Sequence, residues 1–451
     1  NRWKQAAASG FGFTFFQATD TSRYPVFPNV TTDSEIFFTS QTSSNFQIQC
    51  GTIAITQIYF EQGNGNAQRF DIRFNDNCYQ FTNTASDTGV GNRIFLGDVA
   101  THELGHGLGL DHSQNLQSAM VYTAANGMSK PSCDDQAAMT DLFNPGAAPS
   151  NITGRVQTST GASVYGAHVN AISLERGEVL ASTISMSDGS FRIGGLEAGT
   201  YSIMVEPFYP GSGSLGPFYA AINTNTCSGS KFERTFLTAG NKLQTITLGQ
   251  SQSQSTGNIT VNCTTPQSIN AGQEGSFASA PILASTPLDA AIATVGSFSS
   301  GYTQYFKLRN QTGHIQVSAL SYSLWSFADV RVDLLNTSGQ LIAQTTTPNV
   351  IQDFSTTFTN FDAKVEADIV GTQDVIVRVS YYSMVSVSEF PSGSTGMGST
   401  PYYMITASRG FNPANAIYST AARCDAADSF GAYPRLGDPG QVGGSGGGGE
   451  T

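Results

Sequence analysis

Residues 99–122 read VATHELGHGLGLDHSQNLQSAMVY and hold three of the chain's five histidines. Two readings compete: a glycine-rich helix on which histidines merely pack, or a metal site. On a helix, His102 and His106 stand at i and i+4, so both imidazoles leave one face and can chelate a single ion. Glu103 lies beside them, displaced from ligation yet within reach of a water at the ion. Gly109 tolerates positive φ, so the helix can end there and the chain can turn back. That turn brings His112 to the same ion. Three neutral imidazoles with one open position describe catalytic zinc, whereas a structural site would be closed by four protein ligands. The chemistry expected is peptide-bond hydrolysis by a zinc-activated water, with Glu103 as general base.

The bulk numbers suit this reading. A chain of 451 residues is long enough for about three domains. Its 39% hydrophobic and 11% aromatic content can bury real cores, and its 12% charged content is about half the usual share. Abundant Gly, Ser, Thr, Asn and Gln point to all-β extracellular domains. A net charge of −12 with only 21 Lys and Arg argues against nucleic acid. No apolar run is long enough to span a membrane, and no signal segment stands at Asn1. Cys50, Cys78, Cys133, Cys227, Cys263 and Cys424 form no CxxC pair, so disulfides in an oxidising compartment are expected. Three fall on each side of residue 150, which leaves one in each half free or paired elsewhere. Cys227 and Cys263 are candidates to bridge the region between two domains.

The pattern along the chain divides it. Residues 1–146 mix strand-like runs (FGFTFF at 11–16, TIAITQIYF at 52–60, RFDIRFN at 69–75) with two helices. One helix is expected at 98–110 with Asp98 as its cap, the other at 133–143 with Asp134 and Asp135 at its positive start. PGAAPSN at 145–151 reads as a linker. Residues 151–249 are short alternating strands, with Ser187-Asp188-Gly189 as a hairpin turn. SQSQSTGN at 251–258 reads as a polar spacer. Residues 275–408 form a second all-β block with a turn at Asn336–Gly339, and residues 409–451 a flexible Gly-rich tail. The fold class expected is multidomain: an α+β catalytic domain, two all-β sandwiches and that tail.

The full HExxHxxGxxH pattern resembles the metzincin metallopeptidases, and Met120 in SAMVY resembles their Met-turn. His102, His106 and His112 are the only histidines before residue 150, which excludes the second, histidine-built zinc site of animal matrix metallopeptidases. Ser113 after the third histidine, LGDVATHELGHGLGLDHS, and the step from His112 to Met120 resemble the matrixin pattern. NRIFLGDVA, the helix CDDQAAMTDLF and RFDIRFN, an edge-strand candidate, resemble that family too. Matrixins carry Tyr directly after the Met, whereas here the order is Met120-Val121-Tyr122. That order is closer to astacins and serralysins, and it implies Tyr122 as an auxiliary oxyanion or zinc contact; the alternative is a packed aromatic. The resemblance places the start of NRWKQAAASGFGFTF inside the family's catalytic fold, with its first strand and most of its first helix absent. It also raises calcium, for which no Asp-rich loop offers a convincing site.

Residues 152–249 resemble the transthyretin-like, carboxypeptidase-regulatory β-sandwich, through ITGRV, GAHVNAI and SDGSFRIGGLEAGTYSIMVE. Residues 275–408 resemble the pre-peptidase C-terminal type of sandwich, through DVRVDLLNTSGQLIA. His168 and His314 lie alone in these β domains as structural or surface histidines. The reading is a secreted or cell-surface bacterial zinc metalloendopeptidase acting on protein or peptide substrates, with its β modules facing cell-surface or matrix components. Two alternatives stand beside it: an adhesin whose peptidase domain is vestigial, and a peptidase that processes only its own precursor.

Overall fold

The structure is a computed structural model that describes residues 34–39, 48–61, 66–84, 93–121, 129–143, 149–207, 227, 232–263, 267, 275–298, 303–326, 328–345, 349–353, 356–360, 362–384 and 402–418. The run FGFTFF, Tyr122, Cys424 and the glycine-rich end lie outside them. Among the described residues the chain is mostly β-sheet with few helices, arranged in several sheets.

In the amino-terminal unit, β1 (Glu35–Phe38), β2 (Ala54–Phe60) and β3 (Ala67–Phe74) form a sheet in the order β1-β3-β2. β3 runs parallel to β1 and antiparallel to β2. RFDIRFN is therefore a middle strand, and among the described residues β2 is paired on one side only. The resemblance implied an edge, but the charges of β3 are answered inside the sheet. Asp71 pairs with Arg69 at 3.4 Å and accepts from Glu35 N. β4 (Gln80–Thr82) and β5 (Arg93–Phe95) pair in parallel and lead into α1 (Leu96–Gly107). Ile72, Phe74, Ile94 and Val99 bury the sheet against α1. A Cβ at Gly107 would stand 2.7 Å from the Phe70 ring, so the absence of a side chain sets how closely helix and sheet approach. α1 starts two residues earlier than expected, with Phe95 at its N-cap and no side-chain cap. Asp98 instead sits within the first turn and accepts from Ser129 N at 2.8 Å. The second helix, α2, covers Cys133–Phe143 as expected.

Beyond α2, one sheet holds β6 (Ser150–Thr158), β9 (Ser190–Leu196) and β15 (Ser253–Val261). A second holds β7 (Ala167–Ser173), β8 (Glu178–Ile184), β10 (Gly199–Pro207), β11 (Thr235–Phe236) and β14 (Thr245–Leu248). A small ribbon, β12 (Thr238–Ala239) with β13 (Lys242–Leu243), lies between β11 and β14 in sequence. Side chains of both large sheets meet in one core that includes Ile152, Val169, Phe191 and Tyr201. Two sequence expectations change here. The segment read as a polar spacer is mostly β15, parallel to β6, and its Ile259 and Val261 enter the core. Asp188–Gly189 is not a hairpin between paired strands: β8 pairs with β7 and β9 with β6, so the turn carries the chain from one sheet to the other. Gly189 (φ +82°) is needed there, because a Cβ would meet the Val156 carbonyl at 2.4 Å.

The third unit joins β16 (Ile282–Ala284), β17 (Ile292–Ser297), β18 (Thr303–Leu320), β19 (Ala328–Leu335), β20 (Leu341–Gln344), β23 (Ala363–Met384) and β24 (Tyr402–Ser408) into one continuous sheet. β21 (Asn349–Asp353) and β22 (Thr356–Asn360) form a separate hairpin. Phe306 and Leu308 are buried in the first half of β18, then Ile315, Val317 and Ala319 in the second. The change of parity coincides with register shifts between Leu308 and Gly313, as an inserted bulge residue requires. Asn336–Gly339 makes the expected turn, with Asn336 N bonded to Gln340 O.

The second and third units share a further core of Ile172, Leu174, Met204, Leu320, Leu324 and Met404. Residues 409–418 belong to this joint rather than to a flexible tail. The Phe411 ring lies 3.7 Å from the Arg176 guanidinium, and Tyr418 is buried with its hydroxyl donating to Gly195 O. Disulfides link Cys50 to Cys78 and Cys227 to Cys263. Cys133 is disulfide-bonded as well. No described cysteine is free, so for the odd cysteine of the amino-terminal half, Cys133, pairing elsewhere is the expectation that holds.

Candidate metal centre

α1 places His102 and His106 one turn apart. The helix ends at Gly107, and Gly109 follows at φ +91° with open space where a Cβ would be. Gly109 N donates to His106 O and Leu110 N to Gly105 O, which turns the chain back. Ser113 N then bonds to Met120 O at 2.7 Å, pinning the segment of His112 to the turn that carries Met120. The result is a triangle of ring nitrogens. His102 Nε2 is 3.1 Å from His106 Nε2 and 3.3 Å from His112 Nε2, and the last pair is 3.2 Å apart. Among the described residues this is the cluster of His, Cys, Asp and Glu able to hold an ion.

The proton inventory says what the triangle is for. His102 Nδ1 lies 2.8 Å from Ala119 O, and His106 Nδ1 lies 2.9 Å from Leu110 O. Carbonyl oxygens only accept, so both Nδ1 atoms are donors. Burial, then the neighbouring His106, hold His102 down to about 3, so its ring is neutral. The same causes, together with His102, push His112 well below its ordinary value. In a neutral ring with Nδ1 protonated, Nε2 carries a bare lone pair. Lone pairs converging at this spacing repel unless a cation sits between them. Tetrahedral zinc, with Zn–N near 2.0–2.1 Å, holds its ligand atoms about 3.3 Å apart, so the donor set fits that ion.

Glu103 is buried at the same helical turn. Its carboxylate Oε2 accepts from the Thr56 hydroxyl at 2.6 Å, a side chain of β2. Met120 is buried in one cluster with Leu108, Leu110, Ala119 and Met139. Sequence reasoning missed what holds this turn. Asp135 accepts from Ala119 N (2.7 Å), the Ser118 hydroxyl (2.5 Å) and Ser132 N (2.6 Å). The last contact has a reciprocal, since Asp135 N donates to Ser132 Oγ. Ser132-x-x-Asp135 is thus a capping box, a signal present in the sequence. Its second use, anchoring the Met120 turn, was not legible locally. Asp134 turns the other way and accepts from Ser113 Oγ (2.7 Å), Ser182 N (2.6 Å) and Ser182 Oγ (3.0 Å), joining the histidine segment to β8. Burial, and then the charge of Asp135, raise it to about 6. Outside the site, His168 is buried against Glu206 at 2.9 Å, and His314 sits beside Asp368 at the surface.

Residues 13–144 match the Matrixin family model. The match supports a metallopeptidase of that kind and, with it, zinc dependence and protein substrates. Directly after the matrixin segment, residues 151–214 match the model for the carboxypeptidase regulatory-like domain. No curated protein matches the chain. Among solved structures, the chain is similar to the pre-peptidase C-terminal domain of a Bacillus anthracis collagenase. The two are 13% identical over 28% of this chain and 93% of that one, with a TM-score of 0.18. It is also similar to the 5-hydroxyisourate hydrolase of Klebsiella pneumoniae, at 18% identity over 26% of this chain and 94% of that one, with a TM-score of 0.15. No described helix is long and apolar enough to cross a membrane.

Proposed function

We propose that the chain is a zinc-dependent metalloendopeptidase that works outside the cell. The observation that carries this reading is the convergence of the three histidine Nε2 atoms within 3.3 Å of one another, beside a buried carboxylate. His102, His106 and His112 would hold the ion. Zinc, when bound, supplies a Lewis acid that polarises the scissile carbonyl and makes water acidic enough to ionise near neutral pH. Glu103 takes the proton of the attacking water and returns it to the leaving amine, a role that needs its carboxylate aimed, not merely close. The Thr56 hydroxyl does the aiming. Met120 supports the floor of the site through packing. The paired cysteines suit an oxidising, extracellular setting.

The proposed layout is a peptidase unit at residues 1–146, a regulatory-like sandwich from 151, a pre-peptidase-type β unit over 275–408, and a closing segment from 409. The test is direct. Metal analysis of the purified chain should find about one zinc, removable by chelators. Glu103→Ala should retain the metal and lose peptide hydrolysis. Hydrolysis at the parent rate in that variant would refute the assignment.

A further inference from the structure

The three histidines are not held alike. The His102 and His106 rings are fixed twice, by the helix α1 and by a carbonyl beside each Nδ1. His112 lies beyond the helix, and among the described residues nothing accepts from its buried Nδ1. A metal-binding imidazole is ordinarily oriented by a hydrogen bond at its other nitrogen. Without one, the His112 ring takes its direction from its backbone. Whatever holds the residues next to it therefore holds the third ligand.

Part of that hold is local. His112 N donates to Asp111 Oδ1 at 2.8 Å, and Ser113 N to Met120 O at 2.7 Å. The rest comes from the second unit. Ser182 of β8 donates to Asp134 Oδ1 twice, through its backbone N–H at 2.6 Å and its hydroxyl at 3.0 Å. The other oxygen of Asp134 accepts from the Ser113 hydroxyl at 2.7 Å. That hydroxyl accepts in turn from Asn115 N at 3.1 Å, so it is fixed from both sides. The next two side chains reach across directly. The Gln114 amide donates to Pro207 O at 3.2 Å, and the Asn115 amide to Val179 O at 3.5 Å. Both residues are buried, so water does not readily replace these bonds. Three consecutive residues after His112 are thus tied, directly or through Asp134, to β8 and β10.

We propose that the second unit positions the third ligand: Ser182, acting through Asp134 and Ser113, sets the direction of the His112 ring and with it the affinity for zinc. Ser182 is a positioning residue, and the metal centre is the product of two domains. This inference rests on the reading of the three histidines as zinc ligands.

The test uses the full chain and its Ser182→Ala, Ser182→Thr and Gln114→Leu variants. Zinc affinity is measured by chelator competition. The imidazoles are followed by NMR after isotopic labelling of the histidine nitrogens, and the chain has only five histidines to resolve. Signals that move on chelation belong to the metal centre. Ser182 is half-buried on a strand paired on one side only, so Ala and Thr are accommodated there. Ser182→Ala and Gln114→Leu should weaken zinc binding by about 10-fold and shift one of the three metal-centre imidazoles. Ser182→Thr, which keeps the hydroxyl, should match the parent. An unchanged zinc affinity in Ser182→Ala would overturn the proposal. So would a shift of all three imidazoles together, which marks a general loosening. Both results leave the peptidase reading standing, whereas a parent that binds no zinc would overturn both.

Discussion

Thr56 lies 47 positions from Glu103, on a strand that carries no motif, yet its hydroxyl meets the carboxylate at 2.6 Å. A carboxylate that must accept a proton in one geometry gains from a donor that fixes its rotamer. Thr56→Val keeps the shape of the side chain and removes the donor. Steady-state kinetics should then show kcat lower by about 10-fold with KM little changed and zinc content intact, and Thr56→Ser should restore most of the rate. Equal losses in the Val and Ser variants would assign Thr56 to packing. At the same scale, Asp134 and Asp135 show what adjacent identical residues conceal. Their side chains leave α2 in different directions, so one anchors the Met120 turn and the other reaches β8. Both were read as charges favouring a helix start, a correct reading that left their partners unstated.

α2 is the element on which the two domains meet. Its Cys133 and Ala137 belong to the core of the sheets that follow, while its Met139 packs with Leu110, Ala119 and Met120. Gly195 (φ +69°) in β9 faces this helix so closely that a Cβ would stand 1.8 Å from the Ala137 carbonyl. Gly195→Ala should therefore cost about 3 kcal/mol in unfolding free energy, through strain and displaced packing. The displaced helix carries Asp135, so zinc affinity measured by chelator competition should also weaken by about 10-fold. A fall in stability with unchanged zinc affinity would show that the sandwich supports the helix without reaching the metal site. Elements also account for the misread spacer: Ser253–Ser255 and Asn258 are polar because they face outward on β15, while Ile259 and Val261 face in.

Across the whole molecule, a buried polar network joins the second and third units. Arg176 pairs with Glu197 and lies over Phe411, the Lys364 ammonium reaches the Arg176 carbonyl at 3.5 Å, and Glu178 sits among them. Burial is the main cause that raises Glu178 from 4.5 to about 7, against the opposing pull of Arg176 and Lys364. A raised carboxyl binds its proton more tightly in the folded state. Its contribution is thus fully present below pH 4.5 and is lost as pH climbs through 7. Denaturant unfolding over that window should show a decline of about 3 kcal/mol from this group, and Glu178→Gln should flatten it. An unchanged slope in that variant would assign the pH dependence to other carboxyls.

The histidine site was legible because its determinants are local. Helical period, a glycine where φ turns positive and a third histidine six residues on are all read within one short stretch, and the helix of Cys133–Phe143 was bounded by its own start and stop signals. The strands of the β units were visible as alternation, but alternation says which face is inward and nothing about which strand is the neighbour. For that reason Asp188–Gly189 was read as a hairpin, and the partners of Asp134, Asp135 and Thr56 were not foreseen. Those facts rest on contacts between residues distant along the chain. By itself the sequence determined the cluster of three histidines and the helix and turn that carry it, through spacing and backbone preference. Only the tertiary structure decided that Thr56 bonds to Glu103 and that α2 ties the histidine cluster to the next domain, because such hydrogen bonds exist only once separate elements have packed.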